Sequence, residues 1–188
     1  MDRDVLYLDE FRFSVLTGKA TLHALISNAT DFRLFWMLNI PCEGADVVID
    51  GVMHHYWQPK VYVESMTFSC RNWKELVGQH YLSTADDDDP PALYLYEHED
   101  LDESDIHFVA RQGVLFDIDW KFVWSDKKGR VRTKVTFTDV TVWLDDVKDE
   151  AMAKRRLEKD LDLSLFSKPE IVEHPSAGPR FKFKPIPL

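Results

Sequence analysis

Positive charge is absent from one long stretch of this sequence. Between Glu75 and Ala110 there is no lysine and no arginine. The same window holds eleven acidic residues, and the rest of the chain holds 22 acids against 23 bases, so the net charge of -10 resides in this window. A concentration of negative charge repels nucleic acid and anionic membranes and attracts basic partners or divalent cations. We therefore expect a basic protein partner, with no nucleic acid and no membrane.

Cysteine and long apolar runs are also scarce. The two cysteines, Cys42 and Cys70, are too few for a disulfide scaffold and lack CxxC spacing, which favours buried thiols in a reducing compartment. The apolar run from Leu34 to Cys42 has nine residues, whereas a membrane-spanning helix needs about 20. The first ten residues carry five charged side chains, so they do not form a secretory signal. These absences predict a cytoplasmic protein.

Catalytic and cofactor motifs are missing as well. The sequence has no GxSxG motif, and Asp102 stands where the second histidine of an HExxH motif would be. "TGKAT" has Ala20 where a phosphate-binding loop needs serine or threonine. We expect no cofactor, and we favour a non-enzymatic function over an enzymatic one.

The composition indicates a packed fold. Of the 188 residues, 45% are hydrophobic and 13% are aromatic, which is typical of a globular chain and not of a disordered one. We divide the chain into a single β-rich domain at 1–167 and an extended, Pro-rich, basic tail at 168–188.

Alternation with a period of two dominates the middle of the chain. In "GVLFDIDWKFVW" the even-numbered positions from Phe116 to Trp124 are apolar, and in "KKGRVRTKVTF" the odd-numbered positions from Val131 to Phe137 are mostly apolar. This pattern predicts an antiparallel hairpin with one buried face. We place its turn at Gly129 and pair Ser125 with Arg130. Because the apolar parity shifts after Phe137, we also expect a bulge near Thr138 and Asp139.

Several other segments are candidate strands or helices. Residues 11–16 and 21–26 predict a first hairpin around the turn Thr17 to Lys19, and further strands are expected at 32–40, 61–70, 93–97 and 106–111. We expect a short helix capped by Asn72 and an amphipathic helix at about 146–161. The predicted fold is mainly β, a single antiparallel β-sandwich or open barrel with one amphipathic helix near the C-terminus, and α+β is the alternative.

The first functional hypothesis assigns the acidic residues to partner binding. In it the chain is a non-enzymatic binding or inhibitory protein that resembles bacterial immunity proteins, but only in its size and charge. The expected partner-binding residues are Asp86, Asp87, Asp88, Asp89, Glu97, Glu99, Asp100, Asp102, Glu103 and Asp105.

The second hypothesis is a metal-dependent nuclease or phosphodiesterase. "DIDWK" together with an upstream acid resembles the D...(D/E)xK arrangement of such nucleases, with Asp105 and Asp119 as metal ligands and Lys121 beside the attacking water. The structural alternative puts Asp119 and Lys121 on the solvent-exposed face of the hairpin as cross-strand charges, each worth no more than about 0.5 kcal/mol when replaced by alanine.

Histidines offer two further candidates. His98 and His107 lie in the acidic "YEHEDLDESDIH" and are the alternative metal ligands, although its spacing matches no defined loop. The doublet His54 and His55 is chemically suggestive, but neighbouring side chains of a strand point to opposite faces, so we expect a structural role. The third hypothesis, based on the abundance of tryptophan and phenylalanine, is a β-barrel carrier of an apolar ligand.

Overall fold

The computed structural model describes residues 2–49, 51–56, 58–173 and 178–187, and for Ile49 the backbone alone. It is mainly β, with one α-helix near the C-terminus. The described strands are β1 Val5–Leu8, β2 Phe11–Ser14, β3 Thr21–Ser27, β4 Leu34–Pro41, β5 Ala45–Ile49, β6 Val52–Tyr56, β7 Lys60–Met66, β8 His80–Thr84, β9 Ala92–Tyr94, β10 His98–Asp100, β11 Glu103–Gln112, β12 Leu115–Trp124, β13 Lys127–Trp143, β14 Glu170–Val172 and β15 Arg180–Phe183. The helices are α1 Glu150–Leu157 and the 3-10 helices Thr17–Lys19, Trp73–Leu76 and Leu163–Leu165. Within these residues no helix is long and apolar enough to cross a membrane.

Thirteen strands form one mixed sheet, and β5 pairs with β6 as a separate hairpin. The main path of the sheet runs β10-β9-β7-β4-β3-β13-β12-β11-β8. All described pairings are antiparallel except that of β3 with β13. The first half of β13 pairs with β12 and β1, and its second half pairs with β3 and β15. This long strand therefore joins two groups of strands, and both groups contribute to one hydrophobic core.

The predicted hairpin exists, but its predicted register is wrong by four residues. Trp120 pairs with Val131 and Phe116 pairs with Val135. The chain turns at Ser125 and Asp126, whose φ angles are 47° and 65°, as a two-residue hairpin loop requires. Gly129 lies inside β13 opposite Phe122. The buried faces were still predicted correctly, because a shift by an even number of residues keeps every side chain on its side of the sheet.

The predicted bulge is confirmed. Along β3 the partner positions advance by two residues, from Leu22 to Ala24, while along β13 they advance by three, from Phe137 to Val140. The extra residue moves Val140 and Val142 back to the buried side of the strand. The buried face of β13 therefore continues past the bulge.

The predicted first hairpin is wrong. β2 pairs with β1, a strand that the sequence pattern did not reveal, and β3 pairs with β4 and β13. The segment Thr17–Lys19 forms a 3-10 helix and does not close a hairpin.

Both expected helices form. The side chain of Asn72 accepts a hydrogen bond from the Lys74 backbone at the start of the short one, which is a 3-10 helix. α1 begins after Asp149, whose carboxylate accepts a hydrogen bond from the Met152 backbone at 2.8 Å. The helix is shorter than the predicted 146–161, and the expected stripe of Ala153, Leu157 and Leu161 is fully buried.

The C-terminal segment is extended and adds strands to the sheet. β15 pairs with β14 and with the second half of β13. Phe181 and Phe183 lie in the hydrophobic core. Residues 174–177 and 188 of the predicted tail lie outside the described residues.

Aromatic side chains fill the centre of the core. The Phe137 ring lies 5.3 Å from Trp36, 5.4 Å from Trp73 and 6.3 Å from Phe166, measured between ring centroids. Trp73 also contacts Phe116 edge to face. Phe137 thus joins elements from distant parts of the sequence.

Candidate functional site

The ten acids expected to bind a partner lie in the loop after β8, in and beside β10, and in the first half of β11. β8 and β10 are the two end strands of the main path of the sheet. The Ala85 N–H donates to the Asp102 carbonyl at 3.0 Å, and the Leu101 N–H donates to the Pro91 carbonyl at 2.9 Å. These bonds hold the loop 85–91 beside the start of β11. We refer to the ten acids as the acidic surface.

Among the described residues, the acidic surface has few ion-pair or hydrogen-bond partners. Asp105 pairs with His80 and Asp100 pairs with His98, each at 2.8 Å. In the part of the chain that the structure describes, no lysine or arginine forms a salt bridge with any of the ten acids, whereas arginines and lysines pair with acids elsewhere.

Two of the ten acids have structural roles. The carboxylate of Asp87 accepts hydrogen bonds from the Ser83 hydroxyl at 2.6 Å and from the Thr84 N–H at 3.0 Å, and the Ser83 bond in particular lowers the pKa of Asp87. Asp102 accepts a hydrogen bond from the Ser125 N–H at 2.7 Å. These two carboxylates fix a turn and the end of a hairpin, so they are poor choices for testing partner binding.

β8 adds an apolar feature that the sequence reasoning missed. Among the described strands it pairs with β11 alone, so no described strand occupies its other edge. Leu82 at its centre is 71% exposed and lies opposite Asp105. The sequence gives little sign of this strand, because Tyr81 and Leu82 are adjacent apolar residues and do not alternate with polar ones.

The proposed nuclease residues lie on one face of the sheet. Asp105 is the cross-strand partner of Lys121, and Asp119 lies two residues before Lys121 on the same strand. Asp105 and Lys121 line a cavity of about 400 Å3. Asp119 lines a different one, together with His107 and Arg132.

Asp119 is an ion-pair partner of two arginines. Its carboxylate accepts hydrogen bonds from Arg130 Nε at 2.8 Å and Nη2 at 2.6 Å, and from Arg132 Nε at 3.1 Å. Asp119 is therefore a cross-strand charge, as expected, but its side chain is only 13% exposed, so the expected position on the solvent-exposed face is wrong. The hydrogen bond from Arg130, followed by those from Arg132 and the nearby positive charges, lowers the pKa of Asp119 to about 2.

We expect Asp119→Asn to lower the free energy of unfolding at pH 7 by about 2 kcal/mol. Because the folded-state pKa lies below the ordinary value of 3.8, the ion pair stabilises the fold at neutral pH. That contribution is lost as the pH falls from about 4 to about 2. Urea denaturation at pH 7 and at pH 2 measures the difference between the variant and the wild type.

Lys121→Ala is the control for this prediction. Lys121 is exposed on the same strand, so its replacement should lower the free energy of unfolding by no more than about 0.5 kcal/mol. A deficit of Asp119→Asn that is equally large at pH 2 would show that packing and not the charge explains the loss.

The two alternative metal ligands have different partners. The His98 ring bonds to the Tyr62 hydroxyl and to Asp100. The His107 ring stacks on His80, with centroids 4.0 Å apart. Among the described residues, no group of three or more histidine, cysteine, aspartate or glutamate side chains is placed to hold a metal ion.

The histidine doublet lies on β6, and its two rings contact different groups, as strand geometry predicts. His55 Nδ1 lies 2.5 Å from Asp46 on the paired strand β5. The His54 ring stacks on Tyr56, with centroids 6.3 Å apart. Both side chains therefore have structural contacts.

The aromatic residues that motivated the carrier hypothesis are largely in the core. Trp36, Trp73 and Trp120 are fully buried, and each packs against a phenylalanine of the core.

Comparison with protein-family models, with curated proteins and with solved structures finds no significant match.

Proposed function

We propose that the protein is a non-enzymatic binding protein whose acidic surface docks on a basic protein partner. The main support is that six of its carboxylates have no hydrogen bond or ion pair within the residues described, those of Asp86, Asp88, Asp89, Glu97, Glu99 and Glu103. Unpaired carboxylates on one surface raise the rate of association with a positively charged partner and select against acidic ones.

The open edge of β8 supplies a mode of docking. A strand of the partner that pairs with β8 would form main-chain hydrogen bonds along the edge, and its apolar side chains would cover Leu82. The neighbouring carboxylates of Glu103 and Asp105 select lysine and arginine at the flanking positions of that strand. Main-chain bonds therefore provide affinity, and the acids provide specificity.

A more specific version of this proposal is an inhibitory role, such as bacterial immunity proteins have toward nuclease toxins. Its support is the size and charge of the chain. The cytoplasm is the matching location, because Cys42 and Cys70 are free and buried, and burial raises their pKa values to about 12 and about 11. Such thiols are inert structural groups.

The test neutralises unpaired carboxylates and keeps the structural one. In Asp86→Asn/Asp88→Asn/Asp89→Asn the carboxylate of Asp87 stays in place. We expect an equal or slightly higher melting temperature, because like charges repel in the wild type. Capture of basic proteins from a cell lysate should weaken and lose much of its salt dependence, since each contact of this kind is worth about 0.2 to 1 kcal/mol.

A matched control removes the same charge from elsewhere. Glu10→Gln/Glu43→Gln/Glu173→Gln changes three exposed acids outside the acidic surface, and it should capture the same proteins as the wild type. If the two triple variants retain identical proteins with identical salt dependence, partner docking is wrong. If the asparagine variant aggregates and still captures the same proteins, the acids serve to keep the open sheet edges apart.

A further inference from the structure

A second candidate site contains none of the ten acids of the acidic surface, and it has the opposite charge. It is an open groove of about 900 Å3 between the loop before β4, the segment after β7 and the region from Leu144 to Asp160. Its apolar lining comprises Phe32, Leu34, Phe68, Leu144, Val147 and Met152. Ligand sites in proteins commonly have volumes of about 300 to 1,000 Å3 and a mostly apolar wall with a few polar groups.

Five bases line this groove against two acids. The bases are Arg33, Arg71, Arg155, Arg156 and Lys159, and the acids are Asp146 and Asp160. Grouping like charges costs free energy unless an opposite charge joins them. In a chain with a net charge of -10, this local excess of positive charge indicates an anionic occupant.

Arg33 lies over the Phe35 ring, and the other four bases divide into two that support the wall and two that are free. Arg156 donates to Asp160 at 2.5 Å and to the carbonyl of Phe32, and Arg71 donates to the carbonyl of Glu158 at 2.5 Å. Arg155 and Lys159 are exposed, and no described carboxylate forms a salt bridge with either. They lie four residues apart, which places them as neighbours along the helix and the turn that follows it.

Phe32 is held at this groove in an unfavourable backbone conformation. Its φ is 61°, in the left-handed region that bulky residues avoid. The Thr30 hydroxyl fixes the loop by bonding to the backbone of Ser27 and Arg33, and Arg156 holds the Phe32 carbonyl. The ring is 50% exposed, so core burial does not compensate for the strain. Strain maintained in this way is found at ligand clamps.

We propose that the groove binds a small amphiphilic organic anion, an alkyl or aryl chain that ends in a carboxylate or phosphate. The apolar chain packs against Phe32, Phe68 and Met152, and the anionic head lies between Arg155 and Lys159. This site uses none of the ten acids of the acidic surface, so it does not rest on the proposed docking function.

Calorimetric titration of the full chain with decanoate tests this assignment. We expect one site per chain, and no comparable heat with decyltrimethylammonium or with inorganic phosphate, because the site needs both an apolar chain and a negative head. Arg155→Ala/Lys159→Ala should weaken binding at least tenfold. The control Lys19→Ala/Lys148→Ala removes two exposed lysines outside the groove and should change affinity less than twofold.

Phe32→Gly separates binding from folding. Glycine adopts positive φ freely, so the melting temperature should stay equal or rise while decanoate affinity falls. Equal affinities of the two double variants, or equal binding of decanoate and decyltrimethylammonium, would overturn the proposal. Binding of an acidic peptide in the same titration, without binding of decanoate, would also overturn it, in favour of a macromolecular partner.

Discussion

Replacing Phe137 with alanine should lower the free energy of unfolding by about 4 kcal/mol, because a fully buried phenylalanine loses both its transfer free energy and its packing. The ring contacts Trp36, Trp73 and Phe166, and it precedes the bulge in β13. A loss of this size is a large part of the 5 to 15 kcal/mol typical of a domain. Urea denaturation followed by tryptophan fluorescence measures it.

Leu115→Ala is the matched control for Phe137→Ala. Leu115 is a large apolar residue on β12 that is 37% exposed, so its replacement should cost under about 1 kcal/mol. Comparable losses in the two variants would contradict the assignment of Phe137 to the centre of the core.

Gly129→Ala should lower the free energy of unfolding by about 3 kcal/mol, at the upper end of the usual cost of overpacking. A Cβ on Gly129 would lie 2.0 Å from Phe122 Cε2. The Phe122 ring is buried and packs edge to face on Trp120, so it cannot move away without disturbing the core. Chemical denaturation of the variant beside Gly18→Ala gives the comparison, because nothing lies within 4 Å of a Cβ on Gly18.

A double-mutant cycle assigns the cause of the Gly129 effect. In a Phe122→Ala background the added methyl group has space, so Gly129→Ala should then cost less than about 0.5 kcal/mol. If the substitution costs the same in both backgrounds, the clash with the Phe122 ring is not its cause.

The Gly129 position also explains which part of the hairpin was predictable. Alternation identified both strands and the buried side of each, because that pattern depends only on parity. It could not distinguish registers that differ by four residues. The prediction therefore placed the turn at the glycine, which was wrong. The actual turn uses Ser125 and Asp126 at positive φ, and Gly129 is needed in the strand for the space beside Phe122.

Pairings between distant segments were beyond the reach of local patterns. The parallel pairing of β3 with β13 joins residues more than a hundred positions apart, and nothing within either segment specifies it. β1 is four residues long, which is too short for alternation to separate it from a loop. By contrast, the bulge near Thr138 was predictable because the parity change lies within one continuous strand.

The candidate sites were predictable to different extents. The distribution of charge along the sequence was enough to select the ten acids, because charge counts need no fold. It could not separate Asp87 and Asp102, which bond to nearby backbone groups, from the six unpaired acids. The cationic groove could not be found at all, since its walls come from segments around Phe32, Phe68 and Arg155 that only the fold brings together.

Amide hydrogen exchange tests the central claim most directly. The protein is measured alone and when saturated with a basic protein captured by the wild type and lost from the Asp86→Asn/Asp88→Asn/Asp89→Asn variant. Docking on the acidic surface predicts slower exchange in β8, in the loop 85–91 and at residues 97–105, with the strongest effect at the open edge of β8. Unchanged exchange there, with protection confined to other parts of the chain, would contradict the account.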